Sequence, residues 1–133
     1  SETHVPILLY VEDEAIVSMV VVEALEDAGF EVKHFFEGRA VLGALKEGAT
    51  EYRGLVTDVR LPGVDGWEIA RHARELNPSM PVVYVTGDSV AEWSSKGVPN
   101  SIVLQKPFAT AQLVAAGTTL LNQVAVAPPA AAE

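Results

Sequence analysis

The sequence predicts an α/β domain with a sheet of five parallel strands. Five short apolar segments recur along the chain, and stretches with helical spacing of apolar residues separate them. Most of these segments lack the alternation of half-exposed strands, as expected for strands that helices cover on both faces. Strands joined through helices pair in parallel, and 133 residues suffice for one such domain with one core.

The predicted strands are short and rich in Val, Ile and Leu. Four of them are almost continuously apolar, so both of their faces are expected to be covered. The second strand in the chain alternates partly, which suits a position nearer an edge of the sheet. In chain order the strands are predicted at residues 5–11, 31–36, 54–59, 81–87 and 101–105.

The first three helices are predicted from apolar spacing and from the residues that end them. Glycine commonly follows a helix because it readily adopts a left-handed backbone, and proline cannot continue one. The first segment contains a β-branched run that could locally favour a strand, but its acidic start, length and glycine stop favour a helix. The predicted helices, each with the residue that ends it, are 14–28 (Gly29), 38–47 (Gly48) and 66–76 (Asn77).

The last two predicted helices differ in length. Residues 89–96 can form only a short helix because glycine and proline follow closely, and Ser89 with Glu92 fits a capping box at its start. Residues 110–124 form the last helix, with Thr110 as its N-cap. The buried leucines of this helix are predicted to be Leu113, Leu120 and Leu121.

The composition argues against several classes of function. The formal net charge is −9, and a chain so acidic, with no run of Lys or Arg, is not expected to bind nucleic acid. Cysteine is absent, which excludes disulfides and thiolate zinc sites. No signal peptide and no apolar run of roughly 18 residues is present, so a cytoplasmic protein without a membrane segment is expected. Residues 1–124 are predicted to form the domain, and 125–133 a disordered tail or linker stub.

Candidate functional residues lie at the ends of four predicted strands. Glu12 and Asp13 follow the first strand, Asp58 belongs to the end of the third, Thr86 to the fourth, and Lys106 follows the fifth. Binding sites in parallel α/β sheets form at the carboxyl ends of the strands. Alone, an acidic pair after a strand more often marks a helix N-terminus, which favours negative charge. The convergence of four strand ends favours a shared site, with three carboxylates together if the first and third strands are neighbours.

A cluster of three carboxylates requires compensating positive charge. Lys106 supplies one charge, and oxygen ligands without His or Cys favour Mg²⁺, with Mn²⁺ as an alternative, for the rest. A metal ion, an ammonium group and a hydroxyl together suit a phosphoryl group. No histidine is expected near these strand ends as a base for Thr86, whereas a carboxylate needs no base to attack phosphorus. Asp58 is therefore the predicted nucleophile, and the product would be an aspartyl phosphate.

Four motifs together resemble the receiver domain of two-component response regulators. The resemblance implies a flavodoxin-like sheet in the order 2-1-3-4-5. It also implies a signalling phosphoacceptor rather than an enzyme, one that receives its phosphoryl group from a histidine kinase or histidine phosphotransfer protein and supports Mg²⁺-dependent self-phosphorylation and autodephosphorylation. The motifs follow the family's order within residues 5 to about 122: LLYVEDEAIV (8–17), VTDVRLPGVDGWEIA (56–70), PVVYVTGDS (81–89) and VLQKPFA (103–109).

The resemblance assigns expected roles at the metal site. Asp58 matches the phosphoacceptor and is itself a metal ligand. Asp13 matches the acidic residue that binds Mg²⁺ directly, and Glu12 the one that acts mostly through a metal-bound water. The backbone carbonyl of Arg60 would complete the protein's ligands.

The resemblance also assigns the residues that sense the phosphoryl group. Thr86 matches the hydroxyl that turns toward it, with the amide of Gly87 also in reach, and Lys106 matches the lysine that pairs with its oxygens. The peptide bond from Lys106 to Pro107 is expected to be cis. Many members carry Tyr or Phe three positions before the lysine, where this chain has Val103, so a different coupling to the switch is expected here.

Arg60 and Asp88 lie two residues beyond Asp58 and Thr86, at the expected mouth of the site. They are opposite in charge and could pair, which would hinder the water that hydrolyses the aspartyl phosphate. A surface ion pair without such a role is the alternative.

The form of the output stays open at this point. The chain could be a stand-alone regulator, a phosphorelay shuttle or a receiver from a hybrid kinase or longer regulator, acting on a downstream protein, and a homodimer is compatible with each. An adaptor that uses the same fold without phosphorylation is the main alternative, although no site residue is missing. A phosphohydrolase is disfavoured because Arg60 stands where such enzymes often place Asp.

Overall fold

Five parallel strands form one sheet in the computed structural model, which describes the backbone of residues 7–126 and the side chains of residues 7–120. The strands are β1 (Ile7–Val11), β2 (Glu31–Phe35), β3 (Gly54–Asp58), β4 (Val82–Thr86) and β5 (Ile102–Gln105). Their order across the sheet is β2-β1-β3-β4-β5, and every pair is parallel. The predicted α/β class and the flavodoxin-like order are confirmed.

The helices cover both faces of this sheet. They are α1 (Ala15–Asp27), α2 (Gly38–Gly48), α3 (Gly66–Leu76), α4 (Trp93–Lys96) and α5 (Thr110–Val126), with 3₁₀ turns at Ala49–Glu51 and Val90–Glu92. One apolar cluster places α2 and α3 on one face, and a second places α1 and α5 on the other. Among the described residues, no helix is both long enough and apolar enough to cross a membrane.

Burial follows the position of each strand in the sheet. All five residues of β3 and of β4 are buried, and so are four of the five in β1, as expected for central strands. β2 is an edge strand with no buried residue, as its partial alternation predicted. The expectation that β5 is covered on both faces is wrong: β5 forms the other edge, and its residues are half-buried or exposed.

Helix ends show where local signals were misleading. The capping box is absent: the Glu92 amide donates to the backbone oxygen of Ser89 at 3.0 Å rather than to its side chain, and the Ser89 hydroxyl donates to the carboxylate of Asp88 at 2.9 Å. Gly48 belongs to α2 rather than following it, and a 3₁₀ turn continues the chain. Thr110 is the first residue of α5 rather than its N-cap, while the side chain of Gln112 accepts the Ala109 amide at 2.8 Å. Gly29 does follow α1 with a φ of 102°, as predicted.

The C-terminal part of the chain is described only in part. Helix α5 extends to Val126, two residues beyond its predicted end at 124, and both Leu113 and Leu120 are buried. The side chain of Leu121 lies outside the described residues, as do residues 127–133 of the predicted tail.

One arginine connects three segments near β4 and β5. The Arg74 guanidinium on α3 donates to the carbonyl oxygens of Met80 at 2.6 Å, Pro99 at 2.6 Å and Asn100 at 3.3 Å. Met80 precedes β4, and Pro99 and Asn100 precede β5. Arg74 therefore fixes the far end of the segment that begins after Thr86 and contains α4.

Candidate functional site

The predicted acidic residues meet at the carboxyl edge of the sheet. β1 and β3 are neighbours, with Val11 opposite Thr57, so the residues that follow each lie side by side. One carboxylate oxygen from each of Glu12, Asp13 and Asp58 lies within 4.8 Å of the others. Glu12 and Asp58 are buried, whereas Asp13 is exposed.

Lys106 lies against this cluster from two strands away. Its Nζ atom is 3.1 and 3.2 Å from the two carboxylate oxygens of Asp58 and 3.4 Å from Oε1 of Glu12. The other oxygen of Glu12 accepts the Glu14 amide at 3.1 Å. Both oxygens of the buried Glu12 carboxylate therefore have partners, one of which is the positive charge of Lys106. The peptide bond between Lys106 and Pro107 is cis, as expected.

The electrostatics of the cluster show in two pKa values. Burial, with the charge of Glu12 as the next cause, raises the pKa of Asp58 to about 7, and the hydrogen bond and charge of Lys106 only partly oppose this. Burial lowers the pKa of Lys106, but the hydrogen bond and charge of Asp58, helped by Glu12, more than compensate, so the pKa of Lys106 is raised. Three carboxylates beside one ammonium leave an excess of negative charge in this place.

The donor set fits Mg²⁺. The cluster offers three carboxylate oxygens and no sulfur or imidazole ligand, and hard oxygen ligands with room for water and a phosphate oxygen are what Mg²⁺ prefers. A divalent ion would also supply the positive charge that Lys106 alone does not. The acidic pocket of Glu12, Asp13 and Asp58 thus suits both a metal ion and an acceptor carboxylate.

The Thr86 hydroxyl belongs to a separate hydrogen-bond network. Its oxygen accepts the Ser89 amide at 2.9 Å and the Asp88 amide at 3.3 Å, and it donates to Oδ1 of Asp88 at 3.5 Å. Arg60 and Asp88 form the ion pair that their spacing suggested, with Nε 2.7 Å from Oδ2. An open cavity of about 400 Å³ connects this network to the cluster; its lining includes Asp13, Asp58, Arg60, Thr86, Asp88 and Lys106.

His34 was not predicted from the sequence to lie near the site. A histidine was not expected near the strand ends, but Nε2 of His34, on β2, lies 2.9 Å from the backbone oxygen of Glu12. Its ring also contacts Tyr10 and Phe36, with centroids 5.3 and 4.3 Å away. Because β2 pairs with β1, the register Tyr10–His34 was the signal that could have found it. His34 supports the backbone at Glu12 rather than reaching Thr86.

The position of the absent aromatic residue is occupied by Val103 on β5. Val103 is half-buried and packs against the apolar core cluster between the sheet and helices α2 and α3. Tyr84 lies directly opposite it on β4 and contacts Trp67, with ring centroids 4.6 Å apart. The aromatic side chains beneath this part of the site therefore come from β4 and α3 rather than from β5.

A family model described as the response regulator receiver domain matches residues 8–118. The chain belongs to this family. Receiver domains of two-component systems are signalling phosphoacceptors rather than enzymes in the usual sense, and the acidic pocket is consistent with that chemistry.

Similar proteins agree with this assignment. The response regulator receiver protein CpdR of Brucella abortus (strain 2308) is 34% identical over 109 residues, which cover 80% of this chain and 89% of that protein. The probable transcriptional regulatory protein SilR of Salmonella typhimurium is 35% identical over 118 residues, 87% of this chain but 51% of SilR. A crystal structure of a response regulator receiver protein from Sinorhizobium medicae WSM419 matches with a TM-score of 0.87 and 44% identity, over 91% of this chain and 98% of that one.

Proposed function

We propose that this receiver accepts a phosphoryl group onto Asp58 from a histidine kinase or histidine phosphotransfer protein, with Mg²⁺ bound, and thereby switches a surface that contacts other proteins. One observation carries the proposal, namely the surroundings of the buried Asp58 carboxylate. This carboxylate contacts Lys106, lies within 4.8 Å of carboxylate oxygens of Glu12 and Asp13, and opens onto a cavity. A carboxylate placed in this way can act as a nucleophile without a base.

In the proposed reaction an oxygen of Asp58 forms a bond to phosphorus as the bond from phosphorus to the donor's nitrogen breaks. The nitrogen keeps the electron pair of the broken bond. Lys106 stays within reach of the phosphoryl oxygens and offsets their charge, and Glu12 and Asp13 hold the metal with Asp58. When bound, Mg²⁺ supplies positive charge to the carboxylates and to the transferred group. Small phosphodonors are proposed to serve as well, and water to reverse the modification.

The remaining role assignments are proposals of the same kind. The backbone carbonyl of Arg60 is the proposed last metal ligand from the protein. The Thr86 hydroxyl, with the Gly87 amide beside it, is proposed to turn toward the phosphoryl group. Thr86 and Gly87 both line the cavity onto which Asp58 opens, which supports their proposed role in sensing a phosphoryl group there.

The proposed output is a protein contact. A net charge of −9 opposes binding to nucleic acid, and α1 exposes large apolar side chains, with Ile16 79% and Met19 70% exposed, as suits a protein partner. Residues 1–124 are proposed to act as the receiver domain, in the cytoplasm. A regulator in its own right, a part of a hybrid kinase or longer regulator, and a homodimer all agree with the fold.

The test is intact-mass analysis after incubation with Mg²⁺ and acetyl phosphate. The wild-type chain should gain a phosphoryl adduct that EDTA prevents, whereas Asp58→Asn should gain none. Asp27→Asn is the matched control, because Asp27 is an exposed carboxylate on α1, and it should be modified as the wild type is. Absence of an adduct, or an adduct that persists in Asp58→Asn, would reject the proposal in favour of an adaptor that works without phosphorylation.

A further inference from the structure

The Thr86 hydroxyl already has hydrogen-bond partners in this structure. Its oxygen accepts the backbone amides of Asp88 and Ser89, and the acceptor for its proton is Oδ1 of Asp88, at the long distance of 3.5 Å. The same Oδ1 accepts the hydroxyl of Ser89 at 2.9 Å. A hydroxyl has one proton to donate, so Thr86 cannot serve Asp88 and a phosphoryl oxygen at the same time.

The other carboxylate oxygen of Asp88 accepts from a second hydrogen-bond donor that lines the same cavity. Oδ2 of Asp88 lies 2.7 Å from Nε of Arg60, which follows Asp58 by two residues. One carboxylate thus joins the loop after β3 to the loop after β4. Arg60 and Thr86 both line the cavity above Asp58, where a phosphoryl group would present the oxygens that each of them could serve.

We propose that Asp88 is a positioning residue that competes with a phosphoryl group on Asp58 for the Thr86 hydroxyl and the Arg60 guanidinium. This inference rests on the proposed function of Asp58. In the unmodified protein Asp88 accepts from both donors, and in the modified protein the phosphoryl oxygens replace it. The charge and geometry of Asp88 therefore set how readily the switch responds to modification.

The competition predicts that a phosphoryl analogue binds more tightly when Asp88 is replaced by alanine. In the wild type a phosphoryl analogue must break the exposed ion pair between Arg60 and Asp88, which costs a modest free energy, and Asp88→Ala avoids this cost, so the half-saturating concentration of the analogue should fall by roughly fivefold in the variant. Simple loss of negative charge near the site would also favour an anion. Glu14→Ala controls for this, because Glu14 lines the same cavity and its side chain bonds to neither Thr86 nor Arg60.

The test is a titration of the full chain with beryllofluoride and Mg²⁺, followed by NMR at the Gly87 amide. Asp88→Ala should bind roughly fivefold tighter than the wild type and clearly tighter than Glu14→Ala. A background carrying Thr86→Val and Arg60→Met lacks both donors. In it, the further change Asp88→Ala should raise the affinity for beryllofluoride no more than Glu14→Ala does. Restoring a carboxylate with Asp88→Glu should return the affinity toward the wild-type value.

The outcomes separate this inference from the proposed function. If the wild type binds beryllofluoride but Asp88→Ala matches Glu14→Ala, the competition is refuted while the proposed function stands. If the wild type binds no beryllofluoride, the proposed function fails and this inference fails with it.

Discussion

Replacing Asp58 by Asn should stabilise the protein above neutral pH in the absence of divalent cations. Burial and the charge of Glu12 raise the pKa of Asp58 from 3.8 to about 7, so the folded state binds this proton more tightly than the unfolded chain does. Stability should therefore fall as the pH rises from about 4 to about 7, because the proton is lost at the expense of the folded state. Asn resembles the protonated carboxyl in shape and charge, and it does not titrate.

The magnitude follows from the difference between the two pKa values. About three pKa units correspond to about 4 kcal/mol, since each is worth about 1.4 kcal/mol. Water in the open cavity screens part of this electrostatic energy. We therefore expect the free energy of unfolding of Asp58→Asn to exceed that of the wild type by about 2 to 4 kcal/mol at pH 8. In a domain of this size such a gain raises the melting temperature on the order of 10 °C. The difference should shrink as the pH falls, to about 1 kcal/mol at pH 5, and it should vanish only below about pH 4, where the carboxyl is protonated in the unfolded chain as well.

The assay is thermal and urea unfolding of both proteins in EDTA between pH 5 and pH 8. Asp27→Asn serves as the control for loss of one exposed carboxylate and should follow the wild type throughout. Addition of Mg²⁺ at pH 8 should stabilise the wild type more than Asp58→Asn. Stability profiles of wild type and Asp58→Asn that run parallel over this pH range would refute the electrostatic account of the cluster.

Two further perturbations test the surroundings of the site by urea unfolding. Gly66→Ala should destabilise the protein by about 2 kcal/mol, because a Cβ atom there would overlap the backbone oxygen of Asp58. Gly43→Ala, inside α2 with no atom near the new Cβ, should instead stabilise it by about 0.5 to 1 kcal/mol, and equal effects at the two glycines would contradict the packing argument. Arg74→Met should cost about 2 to 4 kcal/mol, because it leaves three backbone carbonyls without their charged donor, and a cost below about 0.5 kcal/mol would show that solvent replaces the guanidinium.

The sequence predicted the acidic cluster well because its geometry depends on topology. Glu12, Asp13 and Asp58 are brought together by two neighbouring parallel strands, and parallel pairing follows from the alternation of strands and helices. Lys106 followed from the same reasoning, at the end of β5. The strand order itself came from the family resemblance, and once β1 and β3 are neighbours the residues that follow them must lie side by side.

The features that the sequence did not predict depend on which partner each polar group finds in the folded chain. Ser89 has the spacing of a helix cap, but the Glu92 amide, which its side chain would accept, donates instead to the backbone oxygen of Ser89 at 3.0 Å. His34 contacts the backbone of Glu12 only because β2 pairs with β1 in one particular register. The His34 contact joins residues that are 22 positions apart in the sequence, so local spacing carries no trace of it.

The hydrogen bonds of Arg74 have a mechanical consequence for the segment that contains α4. At one end this segment continues from the buried β4, and at the other its backbone is bonded to α3 through Pro99 and Asn100. With both attachment points fixed, we expect the segment to rearrange by rotation about the line between them, without shifting β5. Modification of the site would then change which side chains of α4 point outward, while the outline of the domain stays the same.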